Sequence, residues 1–283
     1  MVLAIMYLIS WKKKNISVKM LVKAVIAQFL IAVILVKVPA GRYVVSKVSD
    51  AVTSVINCGQ DGLSFVFGSL ADSTAAAGSV FAIQVLGNIV FLSALVSFLY
   101  YIGILGFVVK WIGKAVGKLM GTSEVESFVA VANMFLGQTD SPMPVAMVAL
   151  VAAVNKLLGV CGISLQQVFS YVFAPFGFFL GLDPSEILLE GNLLGSKLVL
   201  NEFVAFQQLG SMISSMDYRT GMICAISLCG FANFSSLGIC VSGIAVLCPE
   251  KKSTLARLVF KAMLGGVAAS LISAMTVGLV TLC

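Results

Sequence analysis

The sequence contains no histidine and little charge: Asp, Glu, Lys and Arg together make up 11% of its 283 residues. The lack of imidazole excludes His-based metal sites, His general bases and Ser/His/Asp triads. The scarcity of charge, set against 60% hydrophobic residues, excludes an ordinary soluble domain, in which about 25% of residues are charged. No CxxC pair occurs among the cysteines, Cys58, Cys161, Cys224, Cys229, Cys240, Cys248 and Cys283, which read as small buried hydrophobes. No propeller or solenoid period is visible. The net charge of +6 is spread beside apolar segments and forms no soluble basic patch, so nucleic acid is excluded as a partner. What is present is the composition of an all-α integral membrane protein, with lipid as its surroundings.

The basic residues that do occur fall in three clusters: Lys12 to Lys14; Lys110, Lys114 and Lys118; and Lys251, Lys252, Arg257 and Lys261. Lys and Arg beside spans mark the cytoplasmic side, so all three are expected on one face of the cytoplasmic (inner) membrane. An even number of crossings then separates successive clusters. Residues 1–11 rise only about 16 Å and read as a short first helix entering from outside. With one full span after Lys261, both termini are expected outside.

Between the clusters, Met20 to Val38 is expected to span, with Lys23 and Lys37 snorkelling at its ends. Gly41 to Asn57 has Val44, Val45, Val48, Val52 and Val55 on one face, the pattern of an interfacial amphipathic helix, followed by a Gly-rich irregular stretch. Val80 to Val109 is the longest charge-free run, thirty residues, and predicts one tilted span. Pro144 to Val160 reads as a marginal span interrupted by Asn155 and Lys156. Ser164 to Leu182 is Phe-rich and broken at Ala174 and Pro175. An amphipathic KKSTLARLVFKA and a last span, Met263 to Cys283, close the chain.

Three polar islands interrupt this apolar background. GTSEVESFVAVANMFLGQTDSP, residues 121–142, has a helix start at Thr122 or Ser123, early acids at Glu124 and Glu126, nine apolar residues and a polar break. Nine residues cannot cross a bilayer, so the stretch fits one arm of a re-entrant hairpin with GQTDSP at its tip; the other reading is a surface loop. An ionised Asp140 at mid-membrane would cost about 3 kcal/mol and so would face a cavity, a partner or a substrate. DPSEILLEGNLLGSKLVLNEFVAFQQLGSMIS resembles a second hairpin, with Glu186, Glu190, Lys197 and Glu202 between short apolar runs. Arg219 to Cys248 carries FANFSSLG at its centre, a broken helix. Corresponding broken segments in two halves are the pattern of a transporter site. The polar residues at their centres, Gln138, Thr139 and Asp140, Asn201 and Glu202, and Asn233, Ser235 and Ser236, mix carboxylate, amide and hydroxyl without Arg or Lys, which suits a neutral ligand rich in hydroxyls and ring N–H groups and disfavours an anion.

GTSEVESFVAVANMFLGQTDSP, NEFVAF, CGFANFSSLG and DAVTSVINCGQDGLSFVFGSL, in that family's order, resemble the signature stretches of concentrative nucleoside transporters. The resemblance covers most of the chain from about Val38. It implies cation-driven nucleoside uptake by a homotrimer, with a fixed scaffold and a moving domain that carries two re-entrant hairpins. It implies that Gln138, Thr139 and Asp140 face the base, and Glu202, Asn233 and Ser236 the ribose. Asn133 and the Leu136 carbonyl would be sodium ligands, with the proton as alternative coupling ion and no other cofactor. On the residues alone, Asn133 also reads as interhelical glue, and Glu202 as a partner of Lys197. Phe173, Phe176, Phe178 and Phe179 read as lipid-facing or core, or else as a stacking wall for a base.

The sequence departs from the family in two places. Asp140 stands where the family carries Glu. Pro142 runs at once into Met143 to Val160, which resembles a later scaffold helix, so the rest of the first hairpin and two further helices are missing in frame. The expected organisation is scaffold and interfacial helices over 1–120, a truncated first hairpin over 121–142, a scaffold helix over 143–160, and the second hairpin, broken helix and last span over 161–283. Sodium-coupled nucleoside uptake by alternating access is the expected function. A decayed or regulatory relative that transports nothing is the alternative. An enzyme is disfavoured by the absence of His, of a spaced acid pair and of a nucleophile motif.

Overall fold

A computed structural model of the chain describes residues 2–10, 13–72, 83, 87–132 and 143–282. Regular structure among these residues is helical: α1 (Val2–Ile9), α2 (Val18–Val36), α3 (Pro39–Phe67), α4 (Gly87–Tyr101), α5 (Ile104–Met120), α6 (Glu124–Ala132), α7 (Met143–Gly159), α8 (Leu165–Leu180), α9 (Ile187–Val199), α10 (Glu202–Met212), α11 (Tyr218–Leu228), α12 (Phe234–Leu247) and α13 (Lys252–Leu282). Two of them, α2 and α13 with the turn before it, are long and apolar enough to cross a membrane. The chain divides into two compact units, one of residues 1–18, 25–36 and 138–283, the other of 19–24 and 37–137.

In the second-named unit, α3 begins where Val38, in extended conformation, precedes Pro39 at the first helical position, the place where a missing N–H costs nothing. The helix continues past Asn57, where the sequence predicted an irregular stretch. Buried Gly59 lies against α4, and the Gln60 amide donates to the Ala71 carbonyl at 2.8 Å. Packing thus offsets the roughly 1 kcal/mol that each helical glycine costs. The thirty-residue run is not one straight span: α4 and α5 meet at 79°. Gly103, at φ +82°, takes the left-handed conformation that only glycine adopts cheaply and turns the chain between them. Lys110, Lys114 and Lys118 lie exposed along α5, while Leu105, Val109 and Gly113 on its other face are buried, Leu105 and Val109 in a cluster with Val131 and Ala132 of α6. Ser123 starts α6 as expected, with its N–H and hydroxyl both donating to the Glu126 carboxylate and the Glu126 N–H donating back to the hydroxyl.

The other unit is organised on α9. Leu193 and Leu194 of α9 share one core with Leu180 of α8, Ala205 and Leu209 of α10, Ile223, Cys224 and Leu228 of α11, and Leu271 and Ala274 of α13. Gly191 and Gly195, one turn apart, let α8 and α9 touch backbone to backbone: a Cβ at either would run into Ser170 or Phe169, the small-xxx-small packing of membrane helices. α8 is continuous through Pro175, where a break was expected and where proline costs about 3 kcal/mol in a helix interior. The helix is started by a capping box of Ser164 and Gln167. Asn155 does not interrupt α7; its side chain accepts from the Leu165 N–H at 2.7 Å and donates to Gln166 at 3.1 Å, joining α7 to α8. The closing segment is a single helix, α13, with no joint between the amphipathic part and the span. It is held to α2 by Gln28 and Ser273, 2.6 Å apart, and to the end of α1 by Lys261, which donates to the Ile9 carbonyl. The cysteines divide: Cys224 is buried, whereas Cys58, Cys161 and Cys229 are exposed, against the expectation of uniform burial.

Candidate functional site

Two of the polar islands are helix starts. Asn201, with extended backbone at φ −168° and ψ 171°, precedes α10, and its side chain accepts from the Val204 N–H at 2.9 Å. Asn233, at φ −145° and ψ 169°, precedes α12 in the same way and accepts from the Ser236 N–H at 2.8 Å. Asparagine is a preferred cap because its oxygen satisfies a backbone donor that the helix itself cannot. The positive ends of two half-helices therefore carry the polar side chains.

The two starts are joined. The Asn233 amide donates to Glu202 Oε2 at 2.9 Å. Ser236 Oγ lies 2.8 Å from Asn233 Oδ1 and 2.7 Å from the Phe231 carbonyl, and its single proton serves one of these at a time, so the oxygen can still accept. Asn233 and Ser236 are buried and Glu202 is half-buried. The structure thus brings together Glu202, Asn233 and Ser236, the ribose-side residues that the resemblance implied. Gln138, Thr139 and Asp140, and the ion-ligand candidates Asn133 and Leu136, lie outside the described residues. Glu202 accepts from Asn233, and Lys197 lies within electrostatic reach of the same carboxylate, so the reading of Glu202 as partner of Lys197 stands beside its bond to Asn233. Phe173 and Phe176 pack on the core, while Phe178 is exposed, so these rings line up as core and exterior and not as one wall.

Behind this site lies a polar network that the sequence reading missed. Lys197 is 1% exposed; its ammonium donates to the Ser227 carbonyl at 2.8 Å and to Ser270 Oγ at 3.0 Å. The Ser227 hydroxyl donates to Oε1 of Glu190, a fully buried side chain whose Oε2 has no hydrogen-bond partner among the described residues. The signal was present in the spacing, because Glu190 and Lys197 are seven residues apart and share one face of α9. Burying such groups costs several kcal/mol per ion unless they are held by partners, so the network is a committed feature of the core.

A half-buried carboxylate, an amide and a hydroxyl at two helix starts suit hydroxyl groups that both donate and accept. Among the described residues no group of three or more His, Cys, Asp or Glu is placed to hold a metal ion.

Residues 1–70 match the family description "Na+ dependent nucleoside transporter N-terminus" and residues 141–278 the description "Na+ dependent nucleoside transporter C-terminus". An uncharacterised transporter of Bacillus subtilis, YutK, is 30% identical, with 98% of this chain and 96% of the relative covered. The chain belongs to the concentrative nucleoside transporter family. Within that family, the nucleoside permease NupC of Helicobacter pylori is 26% identical, again over 98% of this chain and 96% of the relative. The solved structure described as CNTnw in an inward-facing substrate-bound state superposes with a TM-score of 0.91 at 26% identity, covering all of this chain and 96% of that one. As a member of a transporter family the chain is an integral membrane protein and not an enzyme. The alignment with YutK runs over 395 positions. Against the 283 residues of this chain, at least 112 of those positions have no counterpart here. The C-terminal family match begins at residue 141, beside the point where the sequence reading places the internal loss.

Proposed function

We propose that this protein takes up nucleosides across the cytoplasmic membrane by alternating access, driven by a sodium gradient. The observation that carries the reading is the bond from Asn233 to Glu202, which holds a carboxylate and an amide at the abutting starts of α10 and α12. Two vicinal ribose hydroxyls are the kind of group such a pair recognises. The relatives support the substrate class: the permease of Helicobacter pylori is named for nucleosides, and a mouse relative, 23% identical, is named a sodium/nucleoside cotransporter. In this reading α9 and α10 form the second re-entrant hairpin. Gln138, Thr139 and Asp140 face the base, and Asn133 with the Leu136 carbonyl binds the sodium ion. The protein works as a homotrimer with its three basic clusters inside.

The test is uptake by proteoliposomes. Uridine should accumulate faster with an inward sodium gradient than without one, and Glu202→Gln should abolish the gradient-driven part. An equal response to an inward proton gradient in the absence of sodium would replace sodium by the proton. A second reading, a non-transporting membrane protein descended from a transporter, is favoured by one observation, the 112 or more aligned positions of the Bacillus subtilis relative that this chain lacks. Cations of this kind need about six oxygen ligands, and ligands supplied by the missing segment would be lost. Uptake equal to that of protein-free vesicles establishes the second reading.

A further inference from the structure

We propose that Lys197 is a positioning residue that fixes the register of Glu202 against Asn233. The inference rests on the nucleoside reading for its selectivity arm and is independent of it for its structural arm.

The geometry is a ring closed at both ends. One side is the chain from Lys197 to Glu202, running through the end of α9 into the first residue of α10. The other is the chain from Ser227 to Asn233, running through the end of α11 into the cap of α12. At one end the Lys197 ammonium donates to the Ser227 carbonyl at 2.8 Å; at the other the Asn233 amide donates to Glu202 at 2.9 Å. Ser227 O is among the last carbonyls of α11, which have no partner within their own helix and carry its negative end. A cation there both satisfies the carbonyl and complements the dipole. Ser270 of α13 takes a second donor of the ammonium at 3.0 Å and fixes its direction.

Cys229 to Ala232, the stretch between α11 and the cap, is neither helix nor strand, and Gly230 stands at φ +118°. The Ser236 hydroxyl ties this stretch beside the cap, at the Phe231 carbonyl; a shift at its other end, where Ser227 is held, would let Asn233 drift from Glu202, because a hydrogen bond fails within a few tenths of an ångström and some tens of degrees. Lys197 is too deeply buried, at 1% exposure, to touch a ligand at the half-buried Glu202. Its influence on the site passes through the backbone that it holds and through its charge, which lies within electrostatic reach of Glu202.

The experiment uses the full chain, purified and reconstituted, with Lys197→Met as the variant that keeps the length of the side chain and removes its donors. Hydrogen exchange at the Ser236 amide, which donates to Asn233, should quicken about tenfold, while α2 is unchanged, as expected for the loss of a charged hydrogen bond. Where uridine is bound, its preference over 3′-deoxyuridine should fall by about the same factor; a purely structural role would weaken both ligands equally. Ser270→Ala, which leaves the ammonium and its carbonyl partner in place, should move both readouts in the same direction by a smaller factor, and decides the matter if Lys197→Met fails to fold. Unchanged exchange at residues 229–236 in the folded variant, or equal loss of both ligands, overturns the proposal. A wild-type protein that binds no nucleoside, yet shows the exchange change on substitution, rejects the nucleoside reading and supports the clamp.

Discussion

The two polar stretches start alike and end differently. Each opens a helix with acids near its start: Glu124 and Glu126 in α6, Glu186 just before α9 and Glu190 in its first turn. Yet Glu126 is exposed while Glu190 is fully buried. The cause is the number of neighbours. α6 rests on α5 by one face, burying Ser127, Val131 and Ala132, so its acids stay outside. α9 is enclosed by α8, α10, α11 and α13, so Glu190 and Lys197 are buried with it, held by Ser227 and Ser270. Acids in a first turn are surface groups only when the helix has a surface.

The contrast can be broken most forcefully at the glycines. Gly195→Leu should prevent α8 and α9 from closing, because even a Cβ there meets Phe169; overpacking of this kind costs about 1–3 kcal/mol or more. Thermal melting in detergent, read by size exclusion, should show the folded fraction lost. In the other unit a Cβ at Gly117 would lie 2.8 Å from the Ser127 hydroxyl, whereas one at Gly195 would lie closer still to Phe169 Cβ, so Gly117→Ala should cost less than Gly195→Ala. Equal costs would remove the distinction between the one-sided and the enclosed helix.

Next in size is Ser227→Ala, which strips the donor from buried Glu190. Leaving a buried acceptor unmatched costs about 1–3 kcal/mol, measurable in the same melt, whereas Ser123→Ala at the exposed start of α6 should cost about 1 kcal/mol. The smallest effect is a pH dependence at that start. Hydrogen bonds from the Ser123 backbone and side chain hold the Glu126 carboxyl below the ordinary glutamate range. A depressed carboxyl contributes stability that is present at neutral pH and lost as the pH falls through its folded-state value, below that of an unperturbed glutamate. Exchange of the first-turn amides of α6 should therefore quicken on acidification beyond its intrinsic trend, and Glu126→Gln should flatten that response.

Much of this was legible beforehand for physical reasons. The helix start at Ser123 and the broken helix at FANFSSLG were readable because caps and breakers act locally. Glu202, Asn233 and Ser236 were selected as site residues by resemblance, and their meeting is a tertiary fact. The single tilted span expected over Val80 to Val109 is bent in its described part, because apolar composition does not register a single left-handed residue, Gly103. The expected break at Asn155 was wrong for the opposite reason: the start of the next helix supplied the partner of its side chain; α8 also continues through Pro175.

By itself, then, the sequence determined that the chain is helical, belongs in a membrane, and carries its polar groups in a few islands, because those properties follow from composition and from spacing along one helix. Only the tertiary structure decided which carboxylates are solvated and which are enclosed, and that Lys197 reaches Ser227 and Ser270 while Glu202 reaches Asn233. These partners lie thirty residues or more apart along the chain, and no local pattern records which helix will lie beside which.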